Sequence, residues 1–352
     1  MKTHRYWMKK ALALSQKGLG FVNPNPMVGA IVVDQNNQKI SDGYHERYGQ
    51  SHAEKVALEK AGSRANGATL YVTLEPCSHT GKTPPCVDQV IKSKVKRVVI
   101  GCKDPNPIVQ SIDRLRENGI EVIVGVEEKK IQKLNRIFFH YIQNQSPYII
   151  AKVAMDTNGY IGHINKRLQI SDPATIPVTM KLRAMVDAII VGKNTWKTDD
   201  PILTVRGKYH NRKPARVLLD PKLEISPEAK IFQQEGGPIV LLYDSKQSTP
   251  HAWMGKKGIE TVSLETAHGF FTNEAICTFF KMRSYSSVLI EGGATLLKSF
   301  FPDVHQWIIY QSTKDLTEAY PPKDLISLGL DPFSLQAQSA IRLGQDQMLS
   351  NL

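Results

Sequence analysis

The chain has 352 residues, 41% of them apolar and 22% charged, which suits two globular domains and excludes a low-complexity or collagen-like protein. Its longest apolar runs, 149–154 and 188–192, are strand-sized and too short to span a membrane, and the basic N-terminus has no apolar stretch of the kind an export signal needs. The formal net charge of +12 leaves nucleic acid or a phosphorylated substrate open as partner, although the lysines and arginines are dispersed and the one dense run, 92–97, reads as a solvated turn.

Residues 4–17 put Tyr6, Met8, Leu12 and Leu14 at helical spacing, with Gly18 and Gly20 as a stop. Asn23-Pro24-Asn25-Pro26 predicts a pre-organised turn into an apolar strand, 27–33. Residues 34–38 form a hairpin turn before a strand that reaches Tyr44. His52 opens a helix whose Val56, Ala57 and Ala61 share a face, and the strand 68–74 delivers the Pro76-Cys77 turn. A second helix starts near Pro84 and Pro85, where proline is tolerated in the first turn. A strand at 97–101, a helix through 112–117 and a strand at 121–125 continue the βα alternation of a three-layer α/β domain. A long amphipathic helix, 127–143, and the polar residues before Pro147 mark a boundary between domains 1–146 and 147–352. The second domain restarts the pattern with strands at 148–155, 187–192, 215–220, 238–243, 287–291 and 307–310. Its helices are expected at 176–184, 272–281 and 294–301.

Four cysteines, Cys77, Cys86, Cys102 and Cys277, are too few for a disulfide framework in a chain of this length. With no export signal a cytoplasmic location is expected, and a reducing compartment favours metal or catalytic use of cysteine. Cys102 and Cys277 fall in predicted core elements and read as small apolar residues. His52, Cys77 and Cys86 make a three-donor set for Zn2+ that leaves one position for water. Glu54, two residues after the histidine, is a candidate general acid/base, and the H-x-E … P-C pattern is that of zinc deaminases of nucleobases. Zinc would bring the pKa of water near neutrality for attack on an amidine-like ring carbon, and Glu54 would pass the proton to the departing ammonia. The plain alternative makes His52 and Glu54 first-turn helix residues and the cysteines core thiols, and it leaves the joint pattern unexplained.

Eight residues, Ser-His-Thr-Gly-Lys-Thr-Pro-Pro, separate Cys77 from Cys86, where general cytidine and tRNA adenosine deaminases have two. With Asn25-Pro26, Gly43-Tyr44-His45, His52-Ala53-Glu54 and Asp104-Pro105-Asn106-Pro107, this segment resembles the RibD-type bifunctional deaminase-reductases of riboflavin biosynthesis. The resemblance implies a cytidine-deaminase-like first domain acting on 2,5-diamino-6-(phosphoribosylamino)pyrimidin-4-one. Asn25, His45, Ser78, Lys82, Thr83 and Asn106 would line its base and phosphoribosyl pocket. It implies a dihydrofolate-reductase-like second domain that uses NADPH to turn the ribosyl group into a ribityl chain, and a homo-oligomer that binds neither membrane nor nucleic acid.

In that second domain Gly292 and Gly293 follow a strand and open a helix, where backbone N–H groups can hold a pyrophosphate. Ser171, Gly192, Thr195 and Asp199 would complete the cofactor site. Arg183 and Arg206 could clamp the substrate phosphate, next to Leu203 and Thr204. Lys152 and Asp199 or Asp200 could stabilise the open sugar and supply a proton, with Glu291 orienting a hydroxyl. The chain departs from the family after Pro107, where a Gly-x-Gly turn is missing, and at Asp156-Thr157-Asn158-Gly159, Gln169, Thr175-Ile176, Thr179-Met180 and 313–320. Leu343-Gly344-Gln345-Asp346 looks like the family's last strand. Two alternatives stay open: a deaminase whose second half serves structure or dimerisation, and a basic nucleic-acid-binding deaminase.

Overall fold

Val, Ile and Leu make up at least half of the runs 29–33, 69–74 and 97–102, and all three become strands of a sheet covered by helices on both sides. The computed structural model describes residues 2–79, 84–163, 167–315, 322–324 and 339–351. It divides into two compact units, Met1–Gln145 and Ser146–Leu352. Among the described residues no helix is long and apolar enough to cross a membrane.

The first unit runs α1 (His4–Ser15), β1 (Gly29–Val33), β2 (Lys39–Tyr44), α2 (Ala53–Ala61), β3 (Thr69–Leu74), α3 (Cys86–Lys92), β4 (Arg97–Cys102), α4 (Ser111–Glu117), β5 (Glu121–Val124), α5 (Glu128–Leu134) and α6 (Arg136–Asn144). Its sheet has the order β2-β1-β3-β4-β5. β1 is antiparallel to both neighbours, and β3, β4 and β5 are parallel. Two glycines show how closely helices press on the two faces. A Cβ at Gly29 would come within 2.2 Å of the Ala11 carbonyl of α1, and one at Gly43 within 2.6 Å of the Ala53 carbonyl of α2. Successive strand residues face opposite ways, and Gly43 pairs with Ala30 rather than Gly29, so α1 and α2 lie on opposite faces.

The helix expected over 127–143 is broken in two. Asn135 leaves the helical region at φ −99° and ψ 21°, because its buried side chain is committed to the backbone of Met27. Its Oδ1 accepts the Met27 N–H at 2.8 Å and its Nδ2 donates to the Met27 carbonyl at 3.0 Å. An amide that bonds main chain elsewhere competes with the helix around it.

The second unit carries β6 (Tyr148–Met155), β7 (Ala188–Val191), β8 (Ala215–Leu219), β9 (Ile239–Tyr243), β10 (Glu260–Ser263), β11 (Ser287–Ile290), β12 (Gln306–Gln311), β13 (Ser339–Leu343) and β14 (Asp346–Ser350). Its helices are α7 (Ile176–Met185), α8 (Lys193–Asp199), α9 (Ala252–Lys256), α10 (Asn273–Met282) and α11 (Ala294–Phe300). The nine strands follow the order β10-β9-β8-β7-β11-β6-β12-β14-β13, parallel except for the last two pairings. Of the segment 343–346, expected as a strand, Leu343 ends β13 and Asp346 opens β14, the last strand, while 344–345 form the tight turn between them, with Gly344 at φ +64°. Each unit has its own core, one around Met8, Ala30, Leu70 and Ile100, the other around Ile149, Ile190, Leu242 and Phe280. Cys102 and Cys277 sit in these elements, and burial raises both thiols, to about 12 and about 11.

Candidate active sites

β3 leaves the sheet through Glu75-Pro76-Cys77, and α3 begins at Cys86, so both thiols stand at the end of one strand. The backbone N–H of Cys86 donates to Cys77 Sγ at 3.3 Å and that of Val87 to the Cys77 carbonyl at 3.2 Å, which fixes the pair. His52 caps α2 from the extended region and turns its ring toward them. Its Nδ1 lies 3.2 Å from Cys86 Sγ and 3.6 Å from Cys77 Sγ. Donors at Zn–N and Zn–S bond lengths form a tetrahedron with edges of roughly 3.5 Å, so this set fits zinc. All three donor atoms lie within 4.8 Å of one another, and no fourth protein donor joins them among the described residues.

The charges are distributed accordingly. A hydrogen bond from Cys86 holds the Cys77 thiol down at about 4, while Cys86 itself is raised. The bond to Cys77 raises His52. Glu54, 3% exposed in the first turn of α2, is pushed up to about 7 by burial, with His52 pulling the other way.

These groups open into a cavity of about 300 Å³. Of the residues singled out in the sequence, Asn25, His45, His52, Glu54, Cys77 and Asn106 line it. His45 is buried, with Nε2 3.3 Å from Asn25 Nδ2 and Nδ1 3.2 Å from the Ser51 carbonyl, and burial lowers its pKa. Ser78 is not brought into the lining: its hydroxyl donates to the Ile108 carbonyl at 3.2 Å and accepts the Gln110 N–H at 3.0 Å, bracing the 104–110 loop. Lys82 and Thr83 lie outside the described residues.

His79 and Asp104, which belong to the motif segments quoted from the sequence without an assigned role, also line the cavity, together with Tyr48, Gln50, Glu75, Phe138 and Ile142, which the sequence did not single out. Glu75 was detectable as a charge between a buried strand and Pro76-Cys77. It accepts from Ser111 N at 3.0 Å, Ser111 Oγ at 3.1 Å and Asp104 N at 3.4 Å, which ties the 104–111 segment to the strand end. Burial pushes Asp104 up to about 6, against the pull of the Asn106 N–H. Phe138 and Ile142 had no local signal.

In the second unit a cavity of about 270 Å³ opens near the carboxyl ends of β7 and β11, where ligands of open α/β sheets bind. Lys152, Ser171, Thr195, Asp199, Glu291, Gly292 and Gly293 line it. A Cβ at Gly293 would stand 3.3 Å from Thr195 Oγ1, and one at Gly292 2.7 Å from a methyl of Leu296, so a side chain at either position would crowd this cradle. Gly192 caps α8 through its carbonyl, which accepts the N–H of Thr195 at 3.0 Å. Glu291 receives the Arg183 guanidinium at 2.6 and 3.0 Å and the Lys152 ammonium at 3.2 Å. Burial would raise this carboxyl, but the charges and hydrogen bonds of Arg183 and Lys152 outweigh it and hold it at about 2.

The remaining residues expected here are not gathered around that cavity. Arg183, 11% exposed, donates to Glu291 and to the Thr204 carbonyl, whereas Arg206 is exposed beside a separate apolar hollow with Ile176 and Tyr209. The two do not form one clamp in this structure. Asp200 turns from its neighbour Asp199 to Lys230, accepting its backbone N–H at 3.0 Å and pairing with its ammonium at 3.4 Å. Leu203 and Thr204 are buried, Leu203 at φ +57°. The departure at Asp156–Gly159 is a turn in which Asp156 Oδ1 accepts the N–H groups of Asn158 and Tyr160. Residues 316–320 of the 313–320 departure lie outside the described residues.

The cytidine and deoxycytidylate deaminase zinc-binding region matches residues 1–102, and the RibD C-terminal domain matches residues 147–303. The riboflavin biosynthesis protein RibD of Aquifex aeolicus is 39% identical over 300 residues, covering 84% of this chain and 83% of that one. Its counterpart from Chlamydia pneumoniae is 31% identical over 98% of this chain and 93% of that one. Among solved structures, a diaminohydroxyphosphoribosylaminopyrimidine deaminase/5-amino-6-(5-phosphoribosylamino)uracil reductase from Thermotoga maritima superposes with a TM-score of 0.86. It is 33% identical to this chain, with 99% of this chain and 97% of that one covered.

Proposed function

The chain belongs to the RibD family, the bifunctional deaminase-reductases of riboflavin biosynthesis, and from that premise we propose which residues carry its two activities. The observation that carries the reading is the cluster of His52, Cys77 and Cys86, whose donor atoms lie within 4.8 Å of one another, with His52, Cys77 and Glu54 lining one cavity. His52 and the two thiols would hold Zn2+, which when bound brings the pKa of a water near neutrality. Glu54 takes the proton of that water and returns it to the amino nitrogen leaving the pyrimidine ring, so that one water is consumed and one ammonia is released. Asn25, His45 and Asn106 orient the ring through its polar edge. The substrate is the diaminohydroxyphosphoribosylaminopyrimidine named for the Thermotoga relative, and the product is the aminouracil that the second activity consumes.

In the second unit, Ser171, Thr195, Gly292 and Gly293 would hold NADPH, which supplies a hydride to the opened ribosyl group. Lys152 and Asp199 face the same cavity and serve as hydrogen-bond and proton donors to the sugar oxygen as it gains charge. Glu291 keeps Lys152 in place. We further assign the protein to the cytoplasm, as a homo-oligomer.

The test compares wild type with Glu54→Ala and Asp199→Ala, scoring ammonia release and NADPH oxidation separately. Glu54→Ala is expected to lose about 10²–10⁴-fold in ammonia release and to keep oxidising NADPH when the aminouracil is supplied. Asp199→Ala is expected to do the reverse. Ammonia release at the wild-type rate by zinc-loaded Glu54→Ala would overturn the deaminase assignment.

A further inference from the structure

Most side chains lining the first cavity are polar, yet its proposed ligand is a flat heterocycle with two apolar faces. Such a ring needs an apolar surface to pack on as well as polar groups at its edge. Phe138 and Ile142 supply one. Both are half-buried, and they stand four residues apart on α6, hence on one face of the helix.

The direction of that face is set by one residue. Asn135 is 3% exposed and closes two hydrogen bonds to the peptide groups of Met27, at 2.8 and 3.0 Å, in the manner of a neighbouring strand. Met27 precedes β1, so neither sheet neighbour reaches its N–H or carbonyl. The residues around it, Asn25, Pro26 and Val28, line the same cavity. Asn135 therefore joins two walls: it breaks the α5–α6 helix, aims Phe138 and Ile142, and pins the 25–28 segment opposite. An apolar residue at 135 would leave the Met27 N–H and carbonyl without these partners, so the position of residues 25–28 depends on this amide.

We propose that Phe138 and Ile142 form the wall on which the pyrimidine ring packs, and that Asn135 is the positioning residue that sets the distance of this wall from residues 25–28. The proposal rests on the deaminase reading above and deepens it, assigning planar-ring selectivity to α6. Ring contact is binding energy shared by substrate and transition state, so its loss raises KM. Loss of the clamp misplaces the ring relative to Glu54 and lowers kcat as well.

The experiment measures steady-state ammonia release by the full zinc-loaded chain for wild type, Phe138→Ala, Ile142→Ala, Asn135→Asp and Asn135→Ala. Zinc content and NADPH oxidation with supplied aminouracil are recorded for each. Phe138→Ala is expected to raise KM about tenfold with kcat within threefold, and Ile142→Ala to raise KM about threefold. The Asn135 variants are expected to lower kcat/KM at least tenfold, with part of the loss in kcat and zinc retained. Asn135→Asp keeps the shape and removes the donor to the Met27 carbonyl, so it decides the point if Asn135→Ala does not fold. Phe138→Ala and Ile142→Ala both within twofold of wild type in kcat/KM would overturn the wall. Asn135 variants that lose activity only in proportion to lost zinc would overturn the positioning role. A zinc-loaded wild type that releases no ammonia overturns the deaminase reading itself, an outcome distinct from both.

Discussion

Glu54 and Glu291 are buried carboxyls in the two halves of one chain, and their surroundings drive them apart. Burial raises Glu54 to about 7, and the opposing charge of His52 does not offset it. The same burial acts on Glu291, but Arg183 and Lys152 reverse it and hold the group at about 2. One site keeps a carboxyl near the point where it can take up and release a proton; the other keeps a fixed negative charge that anchors two cations. The halves also differ in how their charged groups are gathered. His52, Glu54, Cys77 and Cys86 come from 35 consecutive positions, whereas Lys152, Arg183 and Glu291 come from three elements spread over about 140.

If the metal set is local and self-contained, disrupting it should leave the other half untouched. Cys86→Ser, or removal of zinc with a chelator, is expected to lower ammonia release by on the order of 10³-fold or more, because water without the metal returns to a pKa of 15.7. NADPH oxidation with supplied aminouracil should stay within twofold of wild type. A parallel loss of both activities would break the comparison, since the halves would then depend on each other.

The fixed charge of Glu291 sharpens the contrast from the other side. Glu291→Gln preserves shape but strands Arg183 and Lys152 without a counter-charge, and breaking a buried pair in this way costs about 3–5 kcal/mol. The cost should appear as a lower-temperature calorimetric transition for the second unit. In wild type the pKa of Glu291 lies below its usual value of 4.5, so the stability it contributes is complete above that value and is lost as pH falls through about 2. The second-unit transition should therefore weaken between pH 5 and pH 2, and Glu291→Gln should flatten that slope. An unchanged slope would mean that Arg183 and Lys152 do not control this carboxyl.

The same local-versus-distant distinction governs what the sequence could reveal. His52, Glu54, Cys77 and Cys86 were readable because zinc ligands at helix starts and strand ends leave a fixed spacing in the chain. The strands from β6 to β9 were readable because buried parallel strands are continuous apolar runs. The grip of Arg183 on Glu291 spans 108 residues and leaves no spacing, so each residue suggested a separate contact to substrate. Asn135 was hidden for a related reason. The amphipathic pattern over 127–143 continues through it, and only its partner Met27, 108 positions away, breaks the helix. Polar α8 leaves no periodic trace because Lys-Asn-Thr-Trp-Lys-Thr-Asp has no apolar face to detect, and the tight turn at 344–345 lies hidden inside a strand-like run although Gly344 sits at a position that favours glycine.

The smallest expected effect tests whether the first site is as local as its motif. Glu75 lies next to Pro76-Cys77, yet two of the three hydrogen bonds it accepts come from Ser111, 36 positions away, and the third from Asp104. Through them it holds the segment carrying Asp104 and Asn106 against the cavity. Ser111→Ala removes only the hydroxyl donor and leaves the two backbone N–H groups bonded. The expected loss is about 1 kcal/mol of first-unit stability, the size of one hydrogen bond whose acceptor keeps other partners. Because the backbone donors still fix the loop, KM for ammonia release should rise no more than about threefold and kcat should hold. A rise beyond tenfold, with zinc content unchanged, would place the first site alongside the second: assembled by distant contacts, with the local motif supplying the metal and little of the pocket.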